Sequence, residues 1–161
     1  MALAWADDPA DQFLDALRGM MMEATLFRRQ QLQAHRLTMT QFFALNLLEG
    51  PERLRLTDLA RRLELSHPAA TNLVDALEGR RLVTRRREGK DRREIRVYLT
   101  PAGRALLRRV HREFLTQARR MAGMISPDHR SVATEVLNDL RGSIRQLREG
   151  KPAFRARGAG P

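Results

Sequence analysis

The chain has no cysteine. That absence excludes disulfides, thiolate metal sites and thiol-based redox sensing together, and it suits a reducing compartment. No apolar run approaches the roughly 18 residues that a membrane span needs. The opening stretch, MALAWADDPADQ, is acidic and lacks the apolar centre of a secretory signal. A soluble, cytoplasmic protein with no membrane partner is expected. Signatures of catalysis are also missing. There is no HExxH and no GxSxG, and Glu88-Gly89-Lys90-Asp91 lacks the upstream glycine and following Ser/Thr of a phosphate cradle. Four scattered histidines without cysteine do not make a structural zinc site. No enzyme activity, no cofactor and no metal are therefore expected. Lysine is nearly absent, since all the cationic residues except Lys90 and Lys151 are arginines.

What is present is charge of one sign on a globular background. The 161 residues are 42% hydrophobic, enough for one ordinary domain with a core or for one domain with helical extensions. The formal net charge is +11. A balance of this size favours an anionic partner such as nucleic acid. The arginine skew has a blander source in nucleotide composition, so the placement of the charge has to carry the inference.

Helical periodicity runs from Asp11 to about His35 through Phe13, Leu17, Met21 and Ala24. A second helix opens at LTMTQFFALNLL, with Thr38 and Gln41 at capping-box spacing. Gly50 and Pro51 break it. TDLARRLEL reads as a short helix capped by Thr57. SHPAATNLVDALEGR reads as the next, with Ser66 as N-cap, Pro68 in the first turn and Gly79 at the end. The texture then changes. RLVTR and EIRVYLT read as two strands joined by a basic turn, because Ile95, Val97 and Leu99 alternate with Glu94, Arg96 and Tyr98. Thr100 and Pro101 start a long helix with the stripe Leu107, Val110, Phe114, Ala118, Met121 and Ile125. Ser126 and Pro127 start the last helix, striped by Val132, Val136, Leu140, Ile144 and Leu147, and a Gly/Pro/Arg tail follows.

Helix, short helix, turn, helix, strand, basic loop, strand is the order of a winged helix-turn-helix. Its second helix lies in the major groove, and its hairpin carries cations to the backbone or minor groove. From Gly79 to Arg96 the Lys and Arg residues (80, 81, 85, 86, 87, 90, 92, 93, 96) outnumber the acids (88, 91, 94) by six. Apolar residues anchor both flanks of that run, so only its tip is free to project. Alternation means that Arg85, Arg86 and Arg87 cannot all face DNA.

The stretch LTDLARRLELSHPAATNLVDALEGRRLVTR, followed by DRREIRVYLTPAG, resembles the MarR (multiple antibiotic resistance regulator) family. The family's Asp-x-Arg, strand-ending Leu-Thr and following glycine fall on Asp91, Arg93, Leu99, Thr100 and Gly103. The resemblance covers roughly Thr38 to Phe114 by motif and nearly the whole chain by order of helices. It implies a mainly α fold with a small β-hairpin wing: an N-terminal dimerisation helix (1–36), a winged helix-turn-helix domain (37–100), C-terminal dimerisation helices (101–149) and a basic disordered tail (150–161). It also implies a homodimer, and the apolar stripes of the outer helices independently ask for a partner.

On this reading the partner is double-stranded DNA. Ser66, His67, Pro68 and Ala69 sit at a helix N-terminus, where backbone N–H groups and the dipole favour phosphate. Ser66 serves equally well as a simple cap. Thr71 and Asn72 face away from the apolar stripe and can reach base edges. Asp75 pairs with a local arginine or reads cytosine. On the hairpin, Lys90 and Arg92 are looser phosphate contacts, and Arg87 is a further DNA-binding candidate. Arg93 resembles the family's minor-groove reader, oriented by Asp91. The resemblance further implies release by a small anionic aromatic effector. Met21, Phe27, Phe42, Phe43, His35 and His111 are candidates to hold it, with Arg28 for its charge, although Met and Phe at helical spacing are more often core. The function implied is a ligand-responsive repressor on a pseudo-palindromic operator. The alternatives are a basic architectural protein with little sequence preference, or an adaptor whose winged domain binds protein.

Overall fold

The computed structural model describes residues 8–87 and 95–149. Six helices and one two-stranded hairpin lie within them, in the order α1 (Pro9–Ala34), α2 (Met39–Glu49), α3 (Leu56–Arg62), α4 (His67–Gly79), β1 (Val83–Arg87), β2 (Ile95–Leu99), α5 (Pro101–Gly123) and α6 (Pro127–Arg148). This is the mainly helical, winged arrangement that the element order predicts. No described helix is long and apolar enough to cross a membrane. The chain divides into two compact units, residues 1–114 and 115–161.

The first unit holds the buried core. Leu32 and Leu37 from the end of α1, Leu45 and Leu48 from α2, Leu59 from α3, Val74 and Leu77 from α4, Val83 and Val97 from the hairpin, and Leu107 and Val110 from α5 belong to one cluster. Apolar side chains at three- and four-residue spacing on the helices, and at every second position on the strands, converge there.

Local chemistry sets the helix boundaries. Thr38 and Gln41 form a complete capping box on α2. Ser66 Oγ accepts from the Ala69 amide at the start of α4, and Pro68 occupies the first turn. Thr100 Oγ1 accepts from the Gly103 amide at 3.0 Å. Ser126 caps α6 in the same way, with Pro127 following it. One expected cap is displaced. α3 begins at Leu56 rather than after Thr57; its N-cap is Arg55, which makes no side-chain capping bond. The deep burial of Leu56 and Leu59 fixes this start in place of a polar cap.

Three helices end on one device. α1, α3 and α4 each place a non-glycine residue at positive φ just beyond the C-cap: Arg36 (54°), Glu64 (54°) and Arg81 (56°). In each case the next amide reaches back to the helix: Leu37 to the Leu32 carbonyl, Leu65 to Ala60, and Leu82 to Leu77. This is the Schellman arrangement, and in each the returning leucine packs into the core region it has just left. Gly79 is therefore the last helical residue of α4 and not its left-handed terminator, which is Arg81.

The hairpin is antiparallel, with Val83 opposite Leu99, Arg85 opposite Val97 and Arg87 opposite Ile95. β1 extends two residues further than RLVTR, to include Arg86 and Arg87. On its far side β2 meets the α2–α3 connection, through a bridge between Arg55 and Arg96 and a Val97 amide that donates to Leu54 O. The segment RREGKDRREIR thus starts and ends in ladder, and its middle, 88–94, lies outside the described residues.

The second unit contains the end of α5 and all of α6. α6 has no buried residue. The stripe expected to pack along these helices stays open: Met121, Ile125, Val132, Val136, Ile144 and Leu147 are all exposed. The same is true of Phe13, Met20, Met21 and Leu26 on α1 in the first unit. A periodic stripe marks what a helix can bury, and one chain alone does not bury these.

Candidate nucleic-acid interface

α4 turns its apolar face, Ala70, Val74 and Leu77, into the core. That leaves the opposite face and the N-terminal turn to solvent. Ser66, His67, Pro68, Ala69 and Asn72 are exposed. Thr71 is half-buried, and its hydroxyl donates to the His67 carbonyl at 3.0 Å, a bond within the helix. Its oxygen keeps a lone pair for an outside donor. The N-terminal amides of α4 left without helical partners point along the helix axis at this surface, where partial positive charge accumulates.

The hairpin supplies the second wall. A cleft of about 500 Å³ opens between α4 and β1, lined by Leu56, His67, Thr71, Arg85, Arg86, Arg87 and Ile95. The three arginines divide as strand alternation requires. Arg85 points inward, on the face shared with buried Val83 and Val97. Arg86 points outward, with its guanidinium 5.4 Å from the ring centroid of Tyr98, and Arg87 is exposed at the strand end. Arg86 also lies directly opposite Arg96 across the ladder. Like charges in that relation repel, and an anion over this face would relieve the repulsion.

The acids of α4 are occupied. Arg85 Nη1 pairs with the Asp75 carboxylate and, at 3.2 Å, with that of Glu78. Its Nη2 donates to the Thr71 carbonyl at 3.1 Å. Asp75 thus pairs with a local arginine. The identity of that arginine was not legible, because alternation shows only that Arg85, Arg86 and Arg87 cannot all face one way. Lys90, Asp91, Arg92 and Arg93, the remaining wing candidates, lie outside the described residues.

The candidate effector residues separate into groups. Arg28 on α1 stacks over Phe114 of α5, 3.6 Å from the ring centroid, and lies 5.3 Å from that of Phe42 on α2. His111 meets Phe42 edge-on at 5.7 Å, while its Nε2 bonds Asn46 Oδ1 at 2.9 Å. Arg28, Phe42 and His111 therefore come together, joined by Phe114, which periodicity alone assigns to the core stripe. Burial lowers the Arg28 pKa below its ordinary value, and its Nη1 is buried without a hydrogen-bond partner. His35 lies nearby in sequence but is engaged elsewhere, with Nε2 2.6 Å from Glu113 Oε2. Phe27 is half-buried and Met21 is exposed. Phe43 is tilted against Phe42, ring centroids 6.0 Å apart, and its exposed side faces a groove shared with Asn46, Leu47 and Leu63. Among the described residues no cluster of His, Asp and Glu is arranged to hold a metal ion.

Comparison with known proteins follows the same lines. Residues 37–95 match the model of the MarR family. The HTH-type transcriptional regulator SarZ of Staphylococcus haemolyticus is 35% identical over 72 residues, 45% of this chain and 49% of that protein. The chain thus spans about half the length of the curated relatives it matches. RV1404 of Mycobacterium tuberculosis superposes with a TM-score of 0.72 at 25% identity, over 93% of this chain and all of that one. A MepR mutant of S. aureus, solved bound to an oligodeoxyribonucleotide, superposes with a TM-score of 0.68 at 22% identity, over 82% of this chain and 97% of that one. Residues 37–95 thus match the MarR family, and the chain shares along most of its length the winged helix fold of these solved structures.

Proposed function

We propose that the protein is a homodimeric transcriptional regulator, acting as a ligand-responsive repressor in the cytoplasm. Each subunit lays α4 in the major groove of duplex DNA and its hairpin along the flanking backbone. One observation carries this reading. The exposed N-terminal turn of α4, from Ser66 to Ala69, together with Asn72, lies beside a cleft walled by Arg86 and Arg87, while the helix's own two carboxylates are both paired with Arg85, which offsets one of their two charges. A helix N-terminus beside a cationic strand fits the phosphate ridge between two grooves. Ser66, His67, Pro68 and Ala69 would then meet phosphate, Thr71 and Asn72 base edges, and Arg87, Lys90 and Arg92 the flanking backbone. Arg93, oriented by Asp91, would enter the minor groove. The name of SarZ and the oligonucleotide on the MepR mutant support the same partner.

Dimerisation is supported by the exposed apolar residues of α1, the end of α5 and α6, which a second copy would cover. The two-fold axis then implies a pseudo-palindrome with half-sites about one helical turn apart. An anionic aromatic effector is supported by Arg28, whose buried, unpartnered Nη1 sits beside Phe42 and Phe114.

Selection of bound sequences from random duplexes tests the reading, repeated with Arg93→Ala. A palindromic motif is expected, weakened by the substitution. Equal enrichment with and without Arg93 would remove the wing from the interface. A specificity ratio near one would favour a basic architectural protein, whereas about 10³ or more supports regulation.

A further inference from the structure

Arg85 is a cation in the wing, but its surroundings set it apart from its neighbours. It occupies the core-facing parity of β1, opposite Val97. A guanidinium there must be satisfied by fixed acceptors. Those acceptors are Asp75, Glu78 and the Thr71 carbonyl, all on α4 and spaced at i, i+4 and i+7 along one side of the helix. The backbone joins in, because the Arg85 amide donates to Glu78 Oε1 at 2.9 Å. Nε is buried without a partner. A planar, rigid fork therefore spans two turns of α4, while the amide of the same residue ties down the strand that carries the fork. The Thr71 carbonyl lies next to Asn72, the residue best placed to read a base.

We infer that Arg85 is the positioning residue of the interface: it pins the wing to the recognition helix and sets the offset between the two DNA-reading parts without contacting DNA. This rests on the DNA-binding reading above and goes beyond it. Both Nη1 protons are directed at carboxylates, Nη2 donates to the Thr71 carbonyl and Nε is shielded, so among the described wing residues phosphate is left to Arg86 and Arg87. The pairing has a second consequence. Unpaired, Asp75 and Glu78 would bring two negative charges of α4 toward a polyanion; paired, they serve as the anchor. Rotation of the strand about α4 would shift Arg86 and Arg87 against the recognition helix while leaving their charge in place, so loss of the pin should damage register before it damages bulk attraction.

Anisotropy titrations with two labelled duplexes of equal length test this: one selected by the wild-type protein and one of random sequence. The variants are Arg85→Lys, which keeps the charge but loses the fork, and the double substitution Asp75→Ala, Glu78→Ala, which adds two units of positive charge per subunit. Both should weaken binding to the selected duplex by about tenfold or more, the scale of one lost specific contact. Affinity for the random duplex should stay within about twofold, with an unchanged salt slope. Simple charge attraction predicts the opposite for the double variant. If it binds both duplexes as tightly as wild type or more so, the inference is overturned. If Arg85→Lys lowers both affinities alike, Arg85 is a phosphate contact and the inference is likewise overturned. Amide exchange at Arg85 in DNA-free protein reads the pin itself: exchange about tenfold faster in the double variant is expected for loss of a protecting bond, and an unchanged rate counts against it. Wild-type protein that binds neither duplex removes the DNA reading, and the positioning role falls with it even where exchange shows the pin to be real.

Discussion

Gly103 shows how a single position can be fixed by close approach. A Cβ built there would lie 2.1 Å from the Leu82 carbonyl oxygen and 3.0 Å from Leu99 Cδ2. Thr100 creates the crowding, since its amide donates to Leu82 O at 3.0 Å and its hydroxyl to Arg81 O at 2.7 Å. The Leu-Thr-Pro-Ala-Gly run is thus one unit that caps α5, docks its first turn on the α4–β1 connection and closes the hairpin. Gly103→Ala should force backbone apart and cost about 1–3 kcal/mol or more, the range for overpacking. Chemical denaturation checks it: a lower midpoint at unchanged slope is expected. The motif was visible in the sequence, but its cause was not, because the carbonyl that excludes the Cβ comes from twenty-one residues upstream. Arg36, Glu64 and Arg81 were equally hidden. No glycine marks these helix ends, and the left-handed turn shows itself only through the returning leucines.

At the scale of elements, caps decide where the interface begins. Ser66 both ends the turn after α3 and opens α4 toward the proposed phosphate site. Replacing it tests those two roles separately. Ser66→Ala removes the cap and should destabilise the fold by about 1 kcal/mol. Ser66→Asp is an equally good cap, so thermal stability should hold; its carboxylate at the phosphate site should nonetheless weaken duplex binding severalfold. Stability measured by calorimetry beside duplex affinity distinguishes them. If the aspartate variant binds as well as wild type, Ser66 is a cap and nothing more. The helices of the first unit and the hairpin were legible because period and punctuation agree. α3 was misplaced at its start because the sequence offered a polar cap at Thr57 and the fold used a buried Leu56 instead. The Arg85 cluster was half legible: alternation requires that Arg85, Arg86 and Arg87 not all face one way, and Asp75 suited a local arginine, but sequence does not say which arginine turns inward, because it cannot place β1 against α4.

At the scale of the whole molecule, the uneven burial matters most. The core of the first unit is closed, whereas α1, the end of α5 and α6 carry apolar residues in the open, with Met124 86% and Leu147 71% exposed. A second copy of the chain is the occupant proposed for them. Two copies also set the electrostatics, because a dimer carries twice the formal +11 of the chain. If about 6–10 phosphates are neutralised per dimer, each releases counterions and binding becomes steeply salt-dependent. The most direct measurement is therefore titration of a selected duplex with the full chain between 50 and 200 mM salt, with stoichiometry read at saturation. Two chains per duplex and an affinity falling by about 10³–10⁵ across that range are predicted. Saturation by one chain, or an affinity indifferent to salt, would contradict the proposal that paired α4 helices and cationic hairpins hold DNA.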